Sequence, residues 1–439
     1  MLDIKYIREN KERVQEACRA KQVACDVERI VALDEEKREI QQKVESLRAK
    51  QNVISSPKLA AKVHKLDVAG AGSGSKPRII EAKEAKEEIK KMEPELEKLE
   101  AELRELLLQL PNIPLEGVPL GDESHNQVLR QGGKIPSFDF ESKDHLDLGE
   151  ALDVIDVKRA AKVSGSRFGY LKGDLVLLEF ALVQLAMAEA MKEKFLPVVP
   201  PVLIRQNITQ GLGYWQGGGN EDYYLVYDPL EKREEGEYPG FYLAGTAEHA
   251  LVPMHKDEIF QEKELPKRYV GFSTAFRREA GSYGKDTRGI LRVHQFDKIE
   301  LVSFTKPEDS AKEHELLLSI EERLWKKLEI PYQVVQLAAG DSSLPSASTI
   351  DIEAWMPGQD RYREVSSASN TTDFQARRLN TRFKNKEGKA EYVHMLNATA
   401  FAIGRTLIAI MENYQQKDGS VKIPKVLQKY VGKKEIKKQ

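Results

Sequence analysis

Between residues 79 and 110 the apolar positions fall on strict three–four spacing: Ala82, Ala85, Ile89, Met92, Leu96, Leu99, Leu103, Leu106 and Leu110. Glu and Lys fill the positions between them, so one stripe of a long helix is apolar and the rest charged, the pattern of a coiled-coil seam. Pro94 falls inside the run and removes one backbone hydrogen bond, which predicts a local bend. A weaker seam precedes it at Ile30, Leu33, Lys37, Ile40, Val44, Leu47, Gln51 and Ile54, breaks at Ser55-Ser56-Pro57, and resumes with Val63 and Leu66. Residues 69–77 are rich in Gly and Ser and read as a reversal. Two seams joined by a short reversal predict an antiparallel helical hairpin, an arm whose ~40-residue legs would reach about 60 Å at ~1.5 Å per residue.

Pro111, Pro114 and Pro119 close the second seam. Beyond residue 115 the helical period gives way to aromatics, glycines and alternating stretches without a regular βαβ rhythm, which predicts an α+β domain around an antiparallel sheet flanked by helices. The boundaries are then 1–110 for the arm and 115–439 for the sheet domain. Within the latter, 271–279 reads as a strand, 280–289 as a polar, glycine-bearing loop, and 292–301 as the returning strand. Alternation on a strand places Arg292, His294, Phe296 and Glu300 on one face, and Arg277 and Glu279 on one face of its partner. Arginines, acids and an aromatic on one sheet surface suit an anionic, aromatic ligand such as a nucleotide.

Composition agrees with two units, since 439 residues exceed what one core supports. Charged residues make up 31%, yet the net charge is only −2, so attraction to a polyanion must be local. It is concentrated between residues 46 and 80, where Arg48, Lys50, Lys58, Lys62, Lys65, Lys76 and Arg78 face a single acid, Asp67. A basic tip suits a phosphate backbone, and a solvated coiled-coil face explains the same residues. Cys18 and Cys25 are too few for a disulfide framework and fit no zinc spacing. The first residues carry no apolar signal core and no run of 18 apolar residues occurs, so a soluble cytoplasmic protein without a membrane span is expected. The lysines at 433–438 read as a solubilising tail.

FRREAGSYGKDTRGILRVHQFDKIE (276–300) closely resembles motif 2 of the seryl-tRNA synthetases. VSGSRFGYLKG (163–173) is similar to that family's entry to motif 1, with Pro201 as the motif proline. AGTAEHAL (244–251) is similar to its serine-binding segment, REVSSASNTTDFQARR (363–378) to its metal-and-ATP strand, and LNATAFAIGRTLIAIMENYQQKDGSVKIPKVL (396–427) to motif 3. The resemblance spans the whole chain, arm included. It implies a class II sheet, a homodimer built through motif 1, and a ligase that makes seryl-adenylate from L-serine and ATP with Mg²⁺ and passes the seryl group to tRNA(Ser), with tRNA(Sec) left open.

The resemblance also implies residue roles. Arg277 would bridge the serine carboxylate and the ATP α-phosphate, Arg278 and Glu279 would flank the nucleotide, Arg292 would hold the distal phosphates, and Val293, His294, Gln295 and Phe296 would line the ATP site, Phe296 stacking on adenine. Thr246, Ala247 and Glu248 would face the serine amino group, Glu300 its polar groups and Thr399 its hydroxyl. Glu364, Val365, Ser366 and Ser367 would meet ATP, with Glu364 and Ser367 as Mg²⁺ ligands, and Arg405 would meet the γ-phosphate. Arg277, Arg405 and Glu364 would carry the catalysis. The seven bases of the arm would bind tRNA. Three stretches depart from the family pattern: 340–350, where Ser346 and Ser348 replace larger or basic residues; 211–240, read as a mobile loop with no residue assigned; and NAT at 397–399 in place of NGS. A synthetase-like ligase with a non-tRNA acceptor and a non-catalytic paralogue are the competing readings. The basic arm counts against the first, and the presence of Arg277, Glu300, Glu364 and Arg405 against the second.

Overall fold

The computed structural model describes residues 1–54, 75–214, 219–227, 240–280, 286 and 288–438. The chain divides into two compact units. One comprises Leu2–Arg19 and Val23–Leu110; the other comprises Pro111–Gln439 with Met1 and Ala20–Gln22.

In the first unit, short helices Ile4–Glu9 and Lys11–Ala20 precede two long ones, α1 (Val27–Ile54) and α2 (Ser75–Gln109). The two long helices pack against each other as a hairpin. Ile30, Leu33 and Val44 of α1 and Ala85, Ile89, Leu99 and Leu103 of α2 are buried along the seam, whereas Ile40, Leu47, Met92 and Leu96 are half-buried, because each helix has one partner only. At the C-terminal end of α2 Leu107, not Leu106, is the buried position. α2 runs through Pro94 without a break, with Ile89 and Leu99 seated on either side of the lost hydrogen bond. Ion pairs tie the flanks: Arg29–Glu102 at 2.8 Å, Lys37–Glu100 at 3.1 Å and Arg48–Glu93 at 2.8 Å. Lys37 sits in a seam position by using that acid as its partner. Of the seven arm bases, Lys58, Lys62 and Lys65 lie outside the described residues, Lys76 and Arg78 lie in the first turn of α2, Lys50 is exposed, and Arg48 is already paired.

The second unit is built on an eight-stranded sheet. Its strands are β1 (Gln127–Gly132), β2 (Leu196–Val198), β3 (Lys267–Phe276), β4 (Gln295–Thr305), β5 (Tyr332–Gln336), β6 (Ser348–Met356), β7 (Arg361–Asn370) and β8 (His394–Ala402). The order is β1-β5-β6-β7-β8-β4-β3-β2, antiparallel except for the edge pair β2–β3. Three helices complete the core, α3 (Asp174–Lys192), α4 (Ser310–Leu328) and α5 (Ile403–Asn413). Ile299, Leu301, Ala368, Ala398 and Phe401 project from the central strands into that core beside Leu317, Leu324 and Trp325. Trp325 donates its indole N–H to Ser366 Oγ at 3.0 Å, so its one polar atom is satisfied. Among the described residues no helix is long and apolar enough to cross a membrane.

The hairpin read at 271–301 is shorter at its loop end than its sequence suggests. β3 stops at Phe276 and β4 starts at Gln295, so Arg277, Glu279, Arg292 and His294 lie beyond the ladder. The Arg277 amide still donates to the His294 carbonyl at 2.9 Å, and other segments take the next groups. The Arg278 amide donates to the Asp222 carbonyl at 2.7 Å and the His294 amide to the Arg167 carbonyl at 3.0 Å, while Glu279 turns into the left-handed region at φ 53°.

Candidate active site

Register aligns the floor of the site. Glu300 on β4 lies opposite Thr399 on β8, Asn397 on β8 opposite Ser369 on β7, and Ser367 on β7 opposite Asp351 on β6. Period-two alternation puts these side chains on the face away from α4. Two one-residue bulges adjust it, one at Ala400 against β4 and one at Val365 against β6. The second lets Glu364 return to the open face although Ser366, two residues on, points into the core. Above this floor is a cavity of about 440 Å³.

One end of the cavity is acidic. Thr246 Oγ1 donates to Glu300 Oε2 at 3.0 Å, and Lys298 Nζ lies 2.7 Å from the same oxygen and 3.3 Å from Thr246 Oγ1. Glu248 accepts from the Tyr214 hydroxyl at 2.9 and 3.0 Å and from Gln375 Nε2 at 3.0 Å. Burial, with Glu300 nearby, pushes the Glu248 carboxyl up to about 7. Burial also raises that of Glu300, against the pull of Lys298. His249 is held neutral, pushed down to about 3 by burial and by Arg277 and Lys298.

The other end is rich in arginine. Arg277 donates Nε–H to the Gly245 carbonyl at 3.1 Å and rests its guanidinium 5.5 Å from the Phe296 ring centre. Arg405, in the first turn of α5, donates to the Glu364 carbonyl at 2.8 Å and its carboxylate at 3.0 Å. Burial alone would raise the Glu364 carboxyl, but Arg405 outweighs it and holds the group below its usual range. Arg292 pairs with Glu279 and approaches Asp286 at 4.0 Å; Asp286 also pairs with Arg363. Here every carboxylate has a cation, whereas at the acidic end two carboxylates share one lysine.

Of the residues singled out in the sequence, Thr246, Glu248, Arg277, Glu279, Arg292, Val293, Phe296, Glu300, Glu364, Val365, Ser366, Ser367, Thr399 and Arg405 line this cavity. Four do not. Ala247 is buried in a hydrophobic cluster with Leu251, Arg278 is exposed, and the His294 ring bonds the Arg277 carbonyl at 3.0 Å. Gln295 lines a neighbouring cavity, which shares Ile290, Val293, Phe296 and Gly404 with this one. Sequence reading missed Lys298 and Asn397, both visible in principle as the alternation partners of Glu300 and Thr399. It also missed His249, the neighbour of Glu248 in the chain, and Tyr214 and Tyr223, which only the tertiary fold brings here. Ser346 and Ser348 stay outside the cavity; Ser346 Oγ is buried against Thr349 Oγ1 at 2.6 Å, while Ser343 of the same divergent stretch reaches the cavity wall.

Among the described residues no group of three or more His, Cys, Asp or Glu is placed to enclose a metal ion. Glu364 and Ser367 nevertheless offer hard oxygens at the arginine end, and Asp351 behind Ser367 has an Oδ1 with no hydrogen-bond partner. Few protein oxygens completed by phosphates and water is the ligand set Mg²⁺ favours, so the residues fit that ion.

A family model for the seryl-tRNA synthetase N-terminal domain matches residues 1–114, and one for the class II tRNA synthetase core domain (G, H, P, S and T) matches 230–414. The serine–tRNA ligase of Dictyoglomus thermophilum is 46% identical over 100% of this chain and 99% of its own length, and that of Nitrosopumilus maritimus 41% identical over 99% and 100%. The crystal structure of seryl-tRNA synthetase from Pyrococcus horikoshii complexed with ATP superposes over all of both chains with a TM-score of 0.88 at 40% identity. The cytoplasmic serine–tRNA ligase of Naegleria fowleri in complex with AMP gives 0.85 at 32%. An antiparallel class II sheet, a helical N-terminal hairpin and full-length similarity lead to one family: the chain belongs to the seryl-tRNA synthetases, the serine–tRNA ligases of class II.

Proposed function

We propose that the two ends of the cavity divide the adenylation of L-serine between them. The observation that carries this is the pairing, in one enclosed volume, of buried Glu248, Glu300 and Thr399 with Arg277, Arg292 and Arg405. Glu248 and Thr246 face the serine ammonium, and Glu300 and Thr399 its hydroxyl. Arg277 takes the carboxylate and the ATP α-phosphate, Phe296 the adenine, and Arg292 and Arg405 the leaving phosphates. A serine carboxylate oxygen attacks the α-phosphorus, the α–β bridging bond breaks and pyrophosphate leaves. A ribose hydroxyl at the tRNA 3′ end then attacks the adenylate carbonyl and AMP leaves. Charge builds on phosphate oxygens rather than on an enzyme nucleophile, so arginines aimed at those oxygens are the needed catalysts. Glu364 and Ser367 would hold Mg²⁺, whose contribution is to neutralise phosphate charge.

The arm, residues 1–110, carries tRNA(Ser) through Lys50, Lys58, Lys62, Lys65, Lys76, Arg78 and, if it leaves Glu93, Arg48. A homodimer is supported by an uncovered apolar face: Leu177, Phe180 and Met191 on α3 and Leu196 and Val199 at edge strand β2 are all more than 45% exposed. Pyrophosphate exchange across the amino acids tests the assignment. Serine should support it, and alanine should be roughly 10⁴-fold poorer because the groups that bind the hydroxyl are left unpaired. Equal rates would overturn the pocket assignment.

A further inference from the structure

Tyr214 and Tyr223 come from the glycine-rich stretch to which the sequence assigned no role, and both pack against the buried imidazole of His249. The ring centres are 5.5 Å apart for Tyr214–His249, tilted, and 5.2 Å apart for Tyr223–His249, edge-on. Three aromatic rings thus form one block behind the acidic end, and it touches both groups that would grip serine. Through the Tyr214 hydroxyl it reaches both oxygens of Glu248, at 2.9 and 3.0 Å. Through His249 it reaches Arg277 by way of one residue, Gly245. His249 Nδ1 accepts the Gly245 N–H at 3.1 Å, and the Gly245 carbonyl accepts Arg277 Nε–H at 3.1 Å. No side chain fits at Gly245, since a Cβ there would stand 2.7 Å from the Tyr223 ring and 3.3 Å from His249.

We propose that Tyr214 and His249 are positioning residues of the serine subsite, Tyr214 orienting Glu248 toward the amino group and His249 fixing, through Gly245, the rotamer of Arg277. The inference rests on the reading that Glu248 and Arg277 contact serine.

The two arms of the block work differently. Arg277 carries a long side chain whose freedom costs about 2 kcal/mol to freeze, and it lies just past the end of β3, where its amide donates to the His294 carbonyl at 2.9 Å but its side chain needs a restraint of its own. The carbonyl of Gly245 supplies the missing restraint, and His249 holds the same residue by its N–H, on the adjoining peptide plane. That role needs an acceptor at Nδ1, hence an uncharged ring, and burial keeps the ring uncharged. Tyr214 instead acts on a carboxylate among many charges. Glu248 is faced by Glu300 and Lys298 from β4, by Arg277 from the end of β3, by Tyr223 from the neighbouring loop, by His249 beside it, and by Gln375 from the helix Phe374–Leu379. Tyr214 and Gln375 are its hydrogen-bond donors, so both favour its ionised form.

The test compares four variants with the native full-length enzyme in serine-dependent pyrophosphate exchange, with melting temperatures taken on the same samples. Tyr214→Phe keeps the ring stack and removes only the hydroxyl. It should raise the KM for serine about tenfold at unchanged KM for ATP, the range expected for a hydrogen bond to a charged group. It should also move the acidic limb of kcat/KM for serine to higher pH, a change that loss of packing would not produce. His249→Leu should lower kcat about tenfold, a loss equal to one misplaced transition-state contact. His249→Asn, which keeps an acceptor where Nδ1 was, should recover most of that loss. Glu248→Gln serves as the control for the underlying reading. If it leaves serine KM unchanged, that reading fails and the inference with it. If it impairs binding while Tyr214→Phe leaves both KM and pH profile unmoved, or Asn at 249 does no better than Leu, the positioning roles are overturned and the reading of Glu248 stands.

Discussion

The arm and the cavity use the same ionisable residues under opposite conditions. In the arm, Arg29–Glu102 and Arg48–Glu93 are close pairs at 2.8 Å, but all four side chains stay about 40% or more exposed. Pairs of that kind contribute about 0–1 kcal/mol and weaken with salt. In the cavity, Glu248 and Glu300 are almost without solvent and Lys298 is their common cation. Their protonation is therefore set by neighbours and not by bulk pH alone. On the proposed function, the first region presents charge to a large partner and the second stores charge for a reaction, so the arm is expected to depend on salt and the cavity on pH.

The largest effect that could break this contrast is removal of the arm. Deleting residues 26–109 behind a short linker should reduce aminoacylation of tRNA(Ser) about a hundredfold, the order expected when several phosphate contacts are lost. Serine-dependent pyrophosphate exchange should be retained on the same preparation. Unchanged tRNA charging would make the arm structural. Next come Arg277→Lys and Arg405→Lys, which keep the charge but lose the planar fork. Either should slow adenylate formation at least about tenfold, or ~1.4 kcal/mol of barrier, without a change in melting temperature. Near-normal exchange in both would mean that charge alone suffices and would erase the distinction from the arm.

The smallest effect sharpens the contrast most. Glu248, pushed up to about 7, is protonated in the free enzyme below that pH. A neutral carboxyl attracts an ammonium less, so kcat/KM for serine should fall as pH drops through about 7, by severalfold within one pH unit. A bound ammonium pulls the carboxyl back down, so the limb in kcat should lie at lower pH. A kcat/KM profile flat from pH 6 to 8 would show that Glu248 is already ionised there.

Much of this was legible in the sequence because periodicity is local. The seams of α1 and α2 follow from spacing alone, with a one-residue drift to Leu107 where adjacent leucines made the choice ambiguous. The fold class and family followed from ordered motifs, not from any one of them. What failed was the extent of regular structure: 277–279 and 292–294 alternate like strand residues, but Asp222 and Arg167 compete for their backbone groups. Lys298 and Asn397 could have been found by counting two from Glu300 and Thr399. Tyr214, Tyr223 and Gln375 could not, since they meet Glu248 from segments up to 161 residues apart in the chain, Tyr214 to Gln375, whereas His249 adjoins Glu248 in the chain.

The bulges at Val365 and Ala400 give chain length a meaning of its own. In a strand, one residue more or less exchanges the two faces beyond that point, so here each bulge, by taking its extra residue out of the ladder, keeps a functional side chain on the cavity on one side and a core side chain against α4 on the other. Were either bulge straightened with the sequence unchanged, so that Val365 or Ala400 took a regular place in the ladder, every residue discussed above would remain and yet Glu364, or Thr399, would turn to the wrong surface. For kin of this chain, a count of residues between motifs therefore carries information that the motifs themselves do not: one residue fewer at a bulge is compatible with the same active site, whereas one fewer elsewhere in either strand is not.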